Sequence, residues 1–194
     1  MECTEKSCSE KREVIIRATI ELVSEHGFHG APMAMVADRA GVAAGTIYRY
    51  FESKDVLIKA VYRDLEERLR QEALVDYPEK GSAQDKFAHL ARVLVTHWIS
   101  YPVDFRFMEQ FHNSPYGVEL RRDKLLGKVR GLCFDIFGEA LESGMVKELP
   151  QAMLFSLAFG PLIYICRDHN QGFFELDESM LQQAIEGCWN AVKR

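Results

Sequence analysis

The sequence predicts an all-α protein of about nine helices, and three observations carry that expectation. Apolar residues recur every three to four positions along most of the 194 residues. Only six prolines interrupt the pattern. No stretch alternates polar and apolar residues as a half-buried strand would. Hydrophobic residues at 47% and charged residues at 27% supply a core and exclude a fibrous or unstructured chain. No run of 18 apolar residues occurs, so no membrane helix is expected.

The elements follow in order. Ser7 and Glu10 have capping-box spacing, so the first helix is expected to start near Ser7. Val14, Ile15, Ala18 and Leu22 form its apolar face and Gly27 is placed to end it. Two short helices, 33–40 and 44–50, are separated by Gly41-Val42-Ala43. Ser53 caps a longer helix, to about residue 76, with Leu57, Val61, Leu65 and Leu69 as its stripe. Pro78 and Gly81 break the pattern, and Ser82 with Asp85 forms a second capping box. The helix that follows carries Phe87, Leu90, Leu94 and Trp98 and runs out before Pro102. A short helix, 103–112, leads to Asn113-Ser114-Pro115, a start signal with proline at the first position. One long helical region to Gly144 follows, with a kink around Gly127. Pro150 opens a helix to about residue 168, and Asp177 caps the last, which ends near Lys193. There is no internal repeat.

Charge and cysteines exclude several classes. A net charge of −5 argues against coating nucleic acid or anionic membrane through bulk charge. The opening MECTEKSCSEKRE has no apolar stretch, so a secretory signal is not expected. Cys3, Cys8, Cys133, Cys166 and Cys188 are scattered without a CxxC pair. They read as reduced thiols of a cytoplasmic protein, the last three facing the core. No metal site, cofactor or catalytic motif is expected.

Residues 36–51, VADRAGVAAGTIYRYF, carry the functional signal. A helix-turn-helix packs two short helices steeply across a tight turn. It needs a small residue in the first helix (Ala37), a turn residue that tolerates positive φ (Gly41), and a branched apolar seal in the second (Ile47). Val36, Ala40 and Val42 supply the remaining buried positions. Ala43, Ala44, Gly45, Thr46, Tyr48 and Arg49 are then left on the outside of the second helix. Small residues at its start allow close approach to a groove floor. Thr46 and Tyr48 offer hydroxyls, and Arg49 alone can make a bidentate contact to guanine. Lys54, after the Ser53 cap, is placed for a backbone phosphate, and Lys11 and Arg12 could add contacts from the side. Yet residues 1–60 hold eight Lys or Arg against nine Asp or Glu. One copy would bind DNA weakly, so two on one duplex are expected.

The stretch from about 10 to 60 resembles the N-terminal domain of TetR/AcrR transcriptional regulators. Its GxIYxYFxSKxxL pattern is Gly45, Ile47, Tyr48, Tyr50, Phe51, Ser53, Lys54 and Leu57. The resemblance implies a DNA-binding domain over 1–52 and a helical ligand-binding and dimerisation domain over 53–194. It implies a homodimer, most simply a repressor, that binds a palindromic operator in double-stranded DNA and leaves it when a small effector binds. It maps DNA contacts onto Thr46, Tyr48, Arg49 and Lys54. Ala31-Pro32-Met33 departs from it, standing where a threonine often caps the helix and touches phosphate.

The second half offers candidate effector contacts. Trp98, Tyr101, Phe105, Phe107, Met108 and Phe111 are interleaved with Glu109 and His112, an apolar wall with a few polar groups. Phe134, Phe137, Phe155 and Phe159 are candidates for the opposite wall. The composition suits a lipophilic or aromatic molecule; the same aromatics also read as plain core. His97 reads either as ligand contact or as a satisfied core residue. The last two helices, about 151–167 and 177–192, are the candidate dimer surface, because QAMLFSLAFGPLIYIC is apolar nearly all round. The alternative class is an all-helical enzyme acting on a hydrophobic small molecule, with Cys133 or a His97, Glu109 and His112 grouping at its centre.

Overall fold

The computed structural model describes the backbone of residues 5–125 and 132–194 and the side chains of 10–124 and 135–194. Ten helices follow one another among these residues. They are α1 (Glu5–His26), α2 (Met33–Arg39), α3 (Ala44–Tyr50), α4 (Lys54–Leu74), α5 (Ala83–Ser100), α6 (Pro102–His112), α7 (Pro115–Leu125), α8 (Leu132–Glu142), α9 (Gln151–Asn170) and α10 (Glu178–Val192). An isolated antiparallel bridge joins Val146 and Lys193. The all-α expectation holds.

The local signals set most helix ends. Gly27 takes φ +71° and its N–H reaches the Val23 carbonyl at 2.8 Å, closing α1. Ser53 Oγ accepts from the Val56 N–H at 3.3 Å at the start of α4. Ser82 and Asp85 form the full reciprocal capping box of α5, and Asp177 accepts from the Met180 N–H at 2.7 Å to cap α10. Pro161 lies inside α9, which continues through it with one backbone donor fewer.

Some expectations are corrected. The region expected as one long helix with a kink around Gly127 contains α7 and α8; residues 126–131, Gly127 among them, lie outside the described residues. Helix α1 already includes Glu5, the first described residue, so Ser7 is within the helix and not its cap. Of the apolar face expected for α1, Ile15, Ala18 and Leu22 are buried and Val14 is 44% exposed; Ile16, Thr19, Ile20 and Val23 widen the buried stripe on the side away from Val14.

Packing forms two compact units. One contains residues 1–67 with 103–117, the other 68–102 with 118–194. This is a different division from the boundary by role expected after residue 52. In the first unit, Ile15, Ile16, Ile20 and Val23 of α1 are buried, as are Val36, Ile47, Phe51, Leu57, Ile58 and Val61 of α2 to α4. Helix α6 belongs to this core. Its Phe111 stacks on Tyr62 of α4 with ring centroids 4.2 Å apart, and Gln110 Nε2 donates to the Val23 carbonyl at 2.8 Å. The second unit is built on α5, α8, α9 and α10 around Phe87, whose ring meets Phe159 at 5.2 Å and Trp189 at 5.6 Å.

Candidate nucleic-acid interface

The turn between α2 and α3 is fixed by backbone chemistry. Gly41 has φ +65°. Its N–H reaches the Asp38 carbonyl at 3.0 Å, and the Val42 N–H reaches the Ala37 carbonyl at 2.9 Å. That pair of bonds is the Schellman arrangement, which only a residue at ease with positive φ completes without strain. Val36, Ala37 and Ile47 are buried as expected, and Ala40 and Val42 are half-buried. Ile47, at 0% exposure, seals α3 to the core and so fixes which face of α3 turns outward.

That outward face carries the expected residues. Ala43, Ala44, Gly45, Tyr48 and Arg49 are exposed and Thr46 is half-buried. Gly45 has an ordinary helical φ, and a Cβ built there would meet nothing within 4 Å. Glycine inside a helix costs up to about 1 kcal/mol relative to alanine. Nothing among the described residues requires it at this position; a surface brought close to α3 from outside would.

The cations differ in availability. Arg49 is exposed and shows no hydrogen bond or ion pair among the described residues. Arg12 is exposed but lies 3.9 Å from Asp64 and 5.8 Å above the Phe51 ring. Arg39 holds α2 to α1 through Glu25 at 3.1 Å and Glu21 at 3.5 Å. The hydrogen bond from Arg39 pulls the Glu25 carboxyl below its ordinary range. Lys54 Nζ donates to the Phe28 carbonyl, and burial lowers its ammonium pKa. In this state Lys54 fastens the start of α4 to the turn after α1. Met33, where a phosphate-touching residue was in question, is buried behind an N-cap proline without a side-chain bond.

The candidate effector residues are distributed over both units. Phe105, Phe107, Met108 and Phe111 are core of the first unit, at 6% exposure or less. Phe107 meets Phe28 edge-on at 6.0 Å, and Phe111 lies parallel to Tyr116 at 6.1 Å. His112 is exposed and approaches Tyr62 edge-on at 5.8 Å, and Glu109 is half-buried. Trp98, Phe137 and Phe159 are buried in the second unit, Phe155 packs 5.1 Å from Phe159, and Tyr101 is 50% exposed. The side chains of Phe134 and Cys133 lie outside those described. Clefts in the second unit run along α5 and α10. One, of about 210 Å³, is lined by Phe87, Gln182, Ile185 and Trp189.

Sequence reasoning missed two polar pairs. Arg17 of α1 reaches Asp104 of α6 at 2.7 Å. His97 of α5, only 4% exposed, has its Nδ1 2.8 Å from Glu72 of α4. Partners 87 and 25 positions apart leave no periodic signal. Among the described residues no cluster of three or more His, Cys, Asp or Glu could hold a metal ion, and no helix is long and apolar enough to cross a membrane.

Comparison with known proteins agrees with this geometry. Residues 15–61 match the family described as bacterial regulatory proteins, tetR family, and residues 82–193 match the tetracyclin repressor-like C-terminal domain. A fatty acid metabolism regulator protein of Bacillus subtilis is 26% identical over 186 residues, which cover 91% of this chain and 94% of that one. The crystal structure of a TetR family transcription regulator from Marinobacter aquaeolei superposes with a TM-score of 0.84 at 22% identity, covering 98% of this chain and 100% of that one. That of a fatty acid degradation regulator from Bacillus halodurans gives 0.68 at 20% identity, covering 92% and 94%.

Proposed function

The chain belongs to the TetR family of bacterial regulatory proteins and is a DNA-binding transcriptional regulator, and from that premise we propose that it is a cytoplasmic repressor that grips a palindromic operator as a homodimer and lets go when a lipophilic effector binds. The family consists of regulators, which sets the enzyme alternative aside.

The observation that carries the DNA reading is the outer face of α3. Its first turn is Ala44-Gly45-Thr46, with open space around Gly45, and Tyr48 and Arg49 project beside it. Such a helix sits low in a major groove, where Arg49 can read a guanine edge and Tyr48 can reach phosphate or a thymine methyl. With Arg12 and Arg39 committed to Asp64, Glu21 and Glu25, one copy offers few cations to the backbone. Binding by a single copy is weak and salt-sensitive, and a second copy one helical turn away supplies the missing affinity.

Two exposed faces support the dimer. Met153 and Tyr164 on α9 are 49% and 61% exposed, and Met180 on α10 is 40% exposed. Gly160 and Gly187 have open space beside them, which lets two helix pairs approach closely. The effector class rests on the apolar composition of the second unit and on the name of the Bacillus subtilis relative, a fatty acid metabolism regulator. Release requires that the effector prefer a dimer whose α3 helices no longer match grooves about 34–36 Å apart.

The test is selection of bound fragments from genomic DNA of the source organism, with wild type and Arg49→Ala in parallel. Enrichment of one palindromic site by the wild type, lost or relaxed in the variant, supports the reading. No enrichment by a folded, ligand-free dimer overturns it.

A further inference from the structure

His97 stands near the end of α5, 4% exposed, with Nδ1 2.8 Å from Oε2 of Glu72. The rings of Trp98 and Tyr101 flank it at 4.7 and 4.9 Å. Its other ring nitrogen, Nε2, is buried and has no hydrogen-bond partner among the described residues. Buried polar atoms in folded proteins are paired almost without exception, so an orphan of this kind marks a position that another molecule completes. The chemistry of that molecule follows from Glu72. A carboxylate only accepts, so Nδ1 carries a ring proton, and in the neutral ring Nε2 then presents a lone pair. A lone pair backed by a carboxylate repels an anion and takes a hydrogen-bond donor.

We propose that His97 Nε2 is the polar anchor of the effector site, accepting a hydrogen bond from a hydroxyl or N–H group carried on an apolar body. This rests on the effector reading above and adds to it the chemistry of the recognised group. Glu72 acts through His97 as a positioning residue, holding the ring in the tautomer that keeps the lone pair outward. Of the two flanking rings, Trp98 is 4% exposed and its carbonyl accepts from Asn170 Nδ2 at 3.1 Å. Tyr101 is 50% exposed and sits beyond the last turn of α5 with φ −124° and ψ 67°. The ring free to swing is therefore Tyr101, and the donor enters past it.

The test uses the full-length protein with ¹⁵N-labelled histidines and two probes that differ only in the donor, indole and 1-methylindole. Long-range ¹H–¹⁵N spectra report the protonation of each ring nitrogen, and loss of signals in His97→Phe assigns His97. The expected result is an Nδ1–H tautomer whose Nε2 resonance shifts saturably with indole. The affinity for 1-methylindole should be at least about tenfold weaker, the scale of one lost buried hydrogen bond. Equal affinities, an Nε2–H tautomer, or an Nε2 signal unmoved by indole would each overturn the proposal. The probe pair reads the wild type, so the conclusion does not depend on the folding of the variant. Fragment selection on the same ligand-free protein separates the two readings. DNA enrichment without discrimination between the indoles removes the anchor alone; discrimination without any enriched DNA leaves the anchor and removes the regulatory reading on which its role rests.

Discussion

Arg17 on α1 and Asp104 on α6 form an ion pair of 2.7 Å in which the carboxylate is buried, 3% exposed, and the guanidinium is half in solvent. Arg17 also meets Glu21 at 3.0 Å; Glu21 meets Arg39 of α2 at 3.5 Å, and Arg39 meets Glu25 at 3.1 Å. A charge ladder thus joins α6, α1 and α2. The asymmetry in burial decides which substitution hurts more. Arg17→Leu takes the cation away from a carboxylate that cannot reach water, at a cost of about 1–3 kcal/mol. Asp104→Asn leaves a solvated arginine and should cost less than Arg17→Leu. Urea unfolding of both variants checks the order, and the reverse order would show that Asp104 is held by its other neighbours.

Arg49 predicts the opposite pattern, function without stability. It is exposed and makes no internal ion pair among the described residues, so Arg49→Ala should move the thermal midpoint by less than a degree or two. Loss of a bidentate contact to a base costs about 1–3 kcal/mol, roughly fivefold to 150-fold in operator affinity. Fluorescence anisotropy with the selected operator, beside a melting curve, reads both quantities.

Gly45→Ala separates the two further, because its effects carry opposite signs. The new methyl meets open space and removes the entropic cost of glycine in a helix, so the free protein gains up to about 1 kcal/mol. On DNA the same methyl stands between α3 and the groove floor, and affinity falls. A variant both more stable and equally tight would show that α3 does not approach DNA through Gly45.

What was legible in the sequence was local. The caps at Ser53, Ser82 and Asp177 and the positive φ at Gly27 and Gly41 depend on residues within four positions of one another, and the structure has all of them. The outward face of α3 was legible because one residue, Ile47, fixes the rotation of a seven-residue helix. Periodicity tells which face of a helix is apolar but not what covers it. Phe107 and Phe111 read either as the wall of a pocket or as core, and the partners beside them, Phe28 and Tyr62, lie 79 and 49 positions away in sequence. The same distance blindness hid Glu72 behind His97 and left Lys54 looking free when the Phe28 carbonyl holds it.

Tyr116 supplies a prediction in pH. Burial first, then its hydrogen bond to the Asp55 carboxylate, pushes the phenol up to about 12 from its ordinary 10.0. The folded state therefore holds this proton more tightly than the unfolded chain does. The stabilisation is fully present below pH 10 and is lost as the pH rises through about 12. Across the neutral range the stability gap between wild type and Tyr116→Phe should accordingly be flat. Phenolate absorbance should show a late-titrating component that is absent in Tyr116→Phe and shifted toward 10 in Asp55→Asn. An unchanged alkaline titration in Asp55→Asn would leave burial as the sole cause.

Gly187 offers a test of the proposed dimer surface. It lies on α10 with Ala184 and Ala191 on the same face, and a Cβ there would meet nothing within 4 Å of the single chain. Gly187→Arg should consequently leave an isolated protomer as helical and at least as stable as before, since arginine is the better helix former. Between two closely packed helix pairs the same guanidinium has neither room nor a partner and opposes association. Sedimentation velocity should find wild type as a dimer and the variant as a monomer, with unchanged far-ultraviolet circular dichroism. Operator affinity should fall by about a hundredfold or more, because two linked α3 helices gain their affinity from acting together. A variant that stays dimeric places the interface elsewhere; one that is monomeric yet binds operator unchanged would mean that a single α3 suffices, contrary to its small complement of free cations.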